Sequence, residues 1–251
     1  MARDGYTVLD VSVYVPSGGA SHELDHVLQR AGAVFSSHAG RPIAINYGSA
    51  AGELAVCVTG VGLVDRSELS KLVITARPVQ LGQLMARLLD SPVAPGGALC
   101  AGGAWWCRAT PGQVMVLSEP QVGRRLRDQL RGHAVHHAAL EVRERSADFA
   151  AIQLLGRNAD KVLRVLGAYG ESGDPRGVSP FTAGTVDGID VSWLLESDRR
   201  ALALVAHERA GEAWEAIERA GRGFGISCVG RDAASRYALL ERTHRARLLG
   251  D

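Results

Sequence analysis

The sequence predicts an α+β fold in which a βαβββα unit occurs twice, as duplicated halves around a shared core. Three observations carry that expectation. A short motif recurs: Asp65-Arg66-Ser67 leads into the apolar stretch Lys71-Leu72-Val73-Ile74-Thr75, and Glu144-Arg145-Ser146 leads, at the same offset, into Ala150-Ala151-Ile152-Gln153-Leu154-Leu155. Behind each stretch come a helical run, a Gly-rich hairpin, a strand and a second helical run, in the same order. Neither half alone can cover both its helix stripe and its sheet face, so the two must share a core.

Ahead of the first half, Leu24, Val27, Leu28 and Ala31 fall at helical spacing and define one apolar stripe. The first half then predicts a helix from Pro78 to Leu89, with Leu81, Leu84, Met85 and Leu88 on one face. A hairpin follows from Pro95-Gly96-Gly97 to Trp106, then a strand over Gln113–Leu117 and a helix over Val122–Leu130. The second half predicts a helix from Asn158 to Leu166, with Val162, Leu163 and Leu166 together, and a Gly- and Pro-rich loop from Ser172 to Pro180. A hairpin over Phe181–Leu195, a strand over Leu202–Val205 and a helix over Glu208–Ala220 complete it. In that last helix Ala210, Ala213, Trp214 and Ile217 recur at i, i+3, i+4 and i+7, a one-sided pattern. The expected organisation is a single unit over 1–251, with repeats at about 65–140 and 144–220; the segment 1–64 and a C-terminal helix over 231–249 pack on them.

Composition narrows the function. With 251 residues, 46% of them apolar, the chain can bury a sizeable core. A net charge of +1 with acids and bases mixed gives no reason to expect nucleic acid or an anionic membrane as partner. No apolar stretch approaches the roughly 20 residues of a membrane helix. The N-terminus shows no basic stretch followed by a long apolar run, so a cytoplasmic protein is expected. Cys57, Cys100, Cys107 and Cys228 form no CxxC pair and read as reduced thiols.

Several local patterns invite a site. His22-Glu23-x-x-His26 matches the zinc-protease pattern HExxH, and the i, i+4 spacing puts both imidazoles on one helical face. That face lies opposite the apolar stripe and no third ligand is placed nearby, so solvent-facing histidines and no metal are expected. His133, His136 and His137 sit where a strand is expected to start, with neighbours facing opposite ways, and read as surface residues. Trp105 and Trp106 are adjacent, so on a strand one faces the core and the other the opposite side, as an interface or as a stacking wall for a flat heterocycle. Gly102-Gly103 is no phosphate loop, since no Lys-Ser/Thr follows and no helix opens there. Cys107 has no His or acid near it in sequence to make it a nucleophile.

One longer stretch resembles a known family. Tyr47 is followed six residues on by Glu53 and then by Gly62-Leu63-Val64-Asp65-Arg66-Ser67. This is similar to the opening of the aminomethyltransferases, the T-proteins of glycine cleavage. Gly32-Ala33-Val34-Phe35 resembles that family's entry strand, and Val205–Trp214, with Glu208, Ala210 and Trp214, resembles its Val-Pro-x-Glu-x-Ala…Trp run. The helix Ala233–Leu248 resembles the segment carrying Leu-Arg-Leu-Glu, with Glu241 at the acid's position. The resemblance extends from about residue 24 onward and places the end of this chain ahead of the family's C-terminal barrel domain.

The resemblance implies a T-protein-like folate-binding fold around a central cavity, tetrahydrofolate as cofactor, and one-carbon or aminomethyl transfer as activity. A carboxylate beside the reacting nitrogen would stabilise positive charge as it forms. The family's acidic hairpin corresponds here to Gly102-Gly103-Ala104-Trp105-Trp106-Cys107, which has no acids, and its Thr-Gly-Glu-x-Gly-x-Glu strand to Glu196-Ser197-Asp198-Arg199-Arg200-Ala201-Leu202. The implied site therefore has Glu196 or Asp198 as its acid, with Tyr47, Trp105, Trp106 and Trp193 as walls. Arg236, or Arg242, would meet a ligand carboxylate, with Glu241 nearby. The shortened hairpin and absent barrel are also similar to the gamma subunit of heterotetrameric sarcosine oxidase. That resemblance implies an alternative, a non-catalytic subunit beside a flavoprotein partner.

Overall fold

A computed structural model describes residues 23–38, 41–89, 91–135, 140–169 and 180–248. The chain opens with α1 (Glu23–Arg30), β1 (Val34–His38), β2 (Arg41–Asn46), α2 (Ala50–Thr59) and β3 (Val61–Asp65). Next come β4 (Ser70–Thr75), α3 (Pro78–Leu89), β5 (Ala98–Ala101), β6 (Ala104–Thr110), β7 (Gln113–Ser118) and α4 (Pro120–Val135). After β8 (Glu141–Glu144) the chain continues through β9 (Phe149–Leu155), α5 (Ala159–Val165), β10 (Phe181–Val186), β11 (Ile189–Ser197), β12 (Arg200–Ala206) and α6 (Ala210–Gly221). It closes with β13 (Ile226–Cys228) and α7 (Arg231–Leu248).

The strands form a hairpin, β1-β2, and two larger sheets: β10-β11-β12-β9-β3-β13 and β5-β6-β7-β4-β8. Both larger sheets run hairpin, third strand, then the strand that follows the Arg-Ser motif. Each also takes a strand from the other half of the chain. β3, which directly precedes β4, pairs antiparallel with β9, and β8, which directly precedes β9, pairs antiparallel with β4. The two motifs are where the chain crosses between sheets. Ser67 Oγ accepts from Ala151 N at 3.2 Å, and Arg66 N donates to Ala151 O at 2.8 Å. At the other crossing Ser146 Oγ accepts from Lys71 N at 2.8 Å, and Arg145 N donates to Lys71 O at 2.8 Å. A hydroxyl is needed because strand pairing has stopped there and the facing N–H would otherwise be orphaned.

The hairpin turns also correspond. Gly102-Gly103 (φ 60° and 77°) joins β5 to β6, and Asp187-Gly188 (φ 48° and 76°) joins β10 to β11. Positive φ at both central residues suits the right-handed twist of the flanking strands, which is why Gly-Gly and Asp-Gly stand there. Further along, β6 and β11 each slip register before their next turn, at Ala109 and at Glu196.

Strand alternation sorts the core into layers. Leu72, Ile74, Trp106, Val114 and Val116 pack against α3 and α4 on the outer face of the five-stranded sheet. Ile152, Leu154, Trp193, Ala203 and Val205 pack against α1, α5 and α6 on the outer face of the other. Between the sheets lie Val73, Cys107, Met115, Leu117, Phe149, Leu194, Leu202 and Leu204. Cys57, Val64, Leu155, Val229, Ala233 and Tyr237 seat α2 and α7 at the edge.

Most of the expected elements appear within a few residues of their sequence-derived limits. The exception is α4, which runs on to Val135, so His133, Ala134 and Val135 belong to a helix, and the next described strand starts at Glu141. His22, His136 and His137 lie outside the described residues, as does most of the loop 172–180. His26 is exposed, on the side of α1 away from the buried Leu24, Val27 and Leu28. Among the described residues no group of His, Cys, Asp and Glu is placed to hold a metal, and no helix is long and apolar enough to cross a membrane.

Candidate functional site

At one end of the inter-sheet layer the apolar packing gives way to a cavity of about 470 Å³. Its walls are Trp105 from β6, Gln153 and Leu155 from β9, Glu196 and Ser197 from β11, and Arg200 from β12. Arg66 and Glu119 enter from the loops after β3 and β7, and α7 covers the space with Arg231, Ala234, Ser235, Ala238, Glu241 and Arg242.

Alternation explains which strand residues reach it. On β11, Val191 and Trp193 face the helices while Leu194 faces the other sheet, so two residues further on Glu196 faces the same way. Glu196 also sits at the register shift between Leu195 and Ser197, where a bulge frees a side chain from the ladder. On β9 the inward set is Phe149, Ala151 and Gln153. Gln153 is thus the point where the inter-sheet layer turns polar.

The position of α7 depends on Glu53. Its Oε1 accepts from Tyr47 N and its Oε2 from Gly230 N, both at 2.7 Å, so one buried carboxylate ties the turn after β2 to the residue before α7. Gly230 must be glycine, since a Cβ there would stand 2.2 Å from Ile45 O. The Tyr-x5-Glu pattern is therefore a framework device that sets the cavity roof.

Electrostatically the cavity is crowded, with four arginines and three glutamates on its walls. Glu196 has its pKa raised by burial; Arg200, Arg66 and a hydrogen bond from Gln153 oppose the shift, and Glu241 adds to it. Arg200 pairs with Glu241, linking β12 to α7. Arg66 donates through Nε to Glu68 at 2.8 Å and through NH2 to Glu119 at 2.7 Å. Arg231 also pairs with Glu68 and donates to both Glu119 oxygens, at 3.0 and 2.9 Å. Burial first, and then Arg66, pull Arg231 down to about 10.

Of the residues singled out from sequence, Trp105, Glu196, Glu241 and Arg242 line this cavity. Trp106 and Trp193 do not. Each is on the opposite parity from the inward-facing set and is buried under helices, so both are core residues. Asp198 is outside the cavity as well: Ser197 pairs with Arg200, leaving Asp198 at the turn, where its side chain is 72% exposed. Arg236 is exposed on the outer side of α7. Tyr47 packs against the helix-side core, with its hydroxyl buried and its pKa raised by that burial. Cys107 is buried between the sheets, and burial pushes its thiol up, away from nucleophilic use.

Arg66, Glu119, Gln153, Arg200 and Arg231 were not expected in the site. Gln153 carried a signal, as the one polar residue in Ala150–Leu155. Arg66 carried another, as part of the repeated motif. Glu119 and Arg231 carried none, because only tertiary packing brings the loop after β7 to the start of α7.

No protein-family model and no curated protein matches this sequence. Solved structures do match in fold. Aminomethyltransferase T of the glycine cleavage system from Bartonella henselae superposes with a TM-score of 0.65 at 15% identity, over 84% of this chain and 59% of that one. A chain of heterotetrameric sarcosine oxidase from Corynebacterium sp. U-96, solved with pyrrole 2-carboxylate, superposes with a TM-score of 0.56 at 21% identity, over 72% of this chain and 95% of that one. This chain thus spans about three fifths of the Bartonella protein's length. It has the α+β fold of the aminomethyltransferase T proteins, which the Tyr47–Ser67 segment had suggested.

Proposed function

We propose that the chain binds a folate-type ligand, a flat heterocycle carrying a carboxylate, in the cavity under α7 and uses Glu196 as the polar group facing it. The observation that carries this reading is Glu196 itself: a half-buried acid whose pKa is raised by desolvation, on a bulge, facing a cavity that also presents the half-buried ring of Trp105. Perturbed acids in concave sites mark function more often than chance. The cavity's volume of about 470 Å³ lies in the range, roughly 300–1,000 Å³, of small-molecule sites.

The fit to tetrahydrofolate is chemically reasonable. Trp105 supplies a face for stacking, Glu196 and Gln153 supply hydrogen bonds for ring heteroatoms, and the arginines supply the charge a carboxylate tail needs. Bound there, tetrahydrofolate would supply the nitrogen that accepts a one-carbon unit, making the protein a one-carbon or aminomethyl-type transferase acting in a biosynthetic pathway. Glu196 would orient the ring and hold a proton at its carboxyl. The shared strand order, the paired turns and the paired bulges support reading the two halves as a duplication.

A second reading has its own observation. The superposition on a chain of heterotetrameric sarcosine oxidase takes in 95% of that chain, so a role as a non-catalytic subunit beside a flavoprotein is the alternative. Calorimetric titration with tetrahydrofolate separates the two. Saturable binding by the isolated chain, weakened about tenfold or more by Glu196→Gln, is expected. A well-folded chain that binds no tetrahydrofolate but co-purifies with a flavoprotein leaves the subunit reading.

A further inference from the structure

Two arginines on the cavity wall converge on one acid that is free to leave. Arg66 and Arg231 each spend one nitrogen on the same oxygen of Glu68, whose side chain is only 2% exposed. The other oxygen of Glu68 is buried and has no partner among the described residues, so Glu68 meets each guanidinium through one oxygen alone. Arg66 NH1 reaches Gln153 Oε1 at 3.4 Å, and the NH2 of each arginine points at Glu119, at 2.7 Å from Arg66 and at 2.9 and 3.0 Å from Arg231. Glu119 differs from Glu68 in one respect that matters: its side chain is 47% exposed, on the loop before α4, so rotation alone carries it into solvent.

With Glu119 rotated away, the two forks would face the cavity with Glu68 as their shared counter-ion. Arg231 already feels Arg66 as a like charge, so the pair needs a second anion. Two neighbouring guanidiniums, each offering the NH2 that now meets Glu119, suit a planar carboxylate, which accepts through both oxygens.

We infer that Arg66 and Arg231 form a carboxylate-binding fork in the cavity and that Glu119 is its built-in occupant, displaced by the carboxylate of an incoming ligand. This rests on the cavity being a ligand site, and it assigns the subsite for the ligand's acidic group. An internal competitor lowers apparent affinity in proportion to its occupancy, so removing its charge should tighten binding.

The test uses glutarate as probe, by calorimetry, on the full chain. Wild type should bind weakly, Glu119→Gln about tenfold more tightly, and Glu119→Gln/Arg231→Gln no better than wild type. Glu119→Asp, which keeps the charge on a shorter stem, should lie between wild type and Glu119→Gln, and it serves where the glutamine variant folds poorly. Folded Glu119 variants with wild-type glutarate affinity overturn the fork. Tetrahydrofolate titrated into the same proteins keeps the two claims apart. Folate binding with unchanged glutarate affinity overturns the fork alone. Tightened glutarate binding without folate binding supports the fork and overturns the folate reading.

Discussion

Glu53 Oε2 accepts the backbone N–H of Gly230 at 2.7 Å, joining residues 177 positions apart and fixing where the helix over the cavity begins. The other oxygen holds Tyr47 N at the same distance. Truncation to alanine leaves two backbone donors without their acceptor, and an orphaned buried donor costs about 1–3 kcal/mol. Glu53→Ala should therefore lower stability by about 3 kcal/mol in urea unfolding and loosen α7 in hydrogen exchange. Wild-type exchange in α7 would show that the carboxylate is not what seats it.

The crossings between sheets should be sensitive at their hydroxyls. Ser67→Ala removes the acceptor for Ala151 N, and Ser146→Ala the acceptor for Lys71 N. Each is expected to cost about 1–3 kcal/mol, far more than an average exposed serine. Equilibrium unfolding of the two variants measures this, and losses within about 0.5 kcal/mol would contradict it.

The tryptophans should divide by role. Trp106 and Trp193 are buried in the two helix-side layers, so Trp→Ala at either should cost about 3–5 kcal/mol. Trp105 is half-buried at the cavity, and Trp105→Ala should cost less than either while affecting ligand binding. Asp198→Ala, at an exposed turn, should change stability by no more than about 0.5 kcal/mol and leave binding intact.

Much of the fold was legible in the sequence because its signals are local. Helix stripes, Gly-rich hairpins and apolar strands each depend on a few neighbouring residues. The Arg-Ser echo was legible as a repeat, but not as a pair of sheet crossings, since the partner of each serine lies in the other half of the chain. The site was less legible. Glu196 and Trp105 have the parity that faces the cavity, but Trp193 could be excluded only by tracing alternation along β11 from its packed end. The bulge at Glu196 and the meeting of Glu119 with Arg231 are tertiary facts, without a signature in residue spacing.

Glu196 should also leave a mark on pH dependence. Burial raises its pKa above the ordinary 4.5, so between that value and the folded one the native state keeps a proton that the unfolded chain has released. Its contribution to stability is therefore fully present below the unfolded value and is lost as pH rises through the folded one. Glu196→Gln removes that slope. Urea midpoints from about pH 4 to about pH 8 should show the variant gaining on wild type as pH rises. A gap that does not change with pH would mean the acid is not perturbed.

The most direct measurement is tryptophan fluorescence during a tetrahydrofolate titration. Among the chain's four tryptophans only Trp105 lines the cavity, so ligand stacking there should quench wild type saturably. Trp105→Phe should lose that ligand-specific quenching, and Trp193→Phe should keep it. A saturable signal that survives in Trp105→Phe, or no saturable signal in folded wild type, would contradict a folate-type ligand in this cavity.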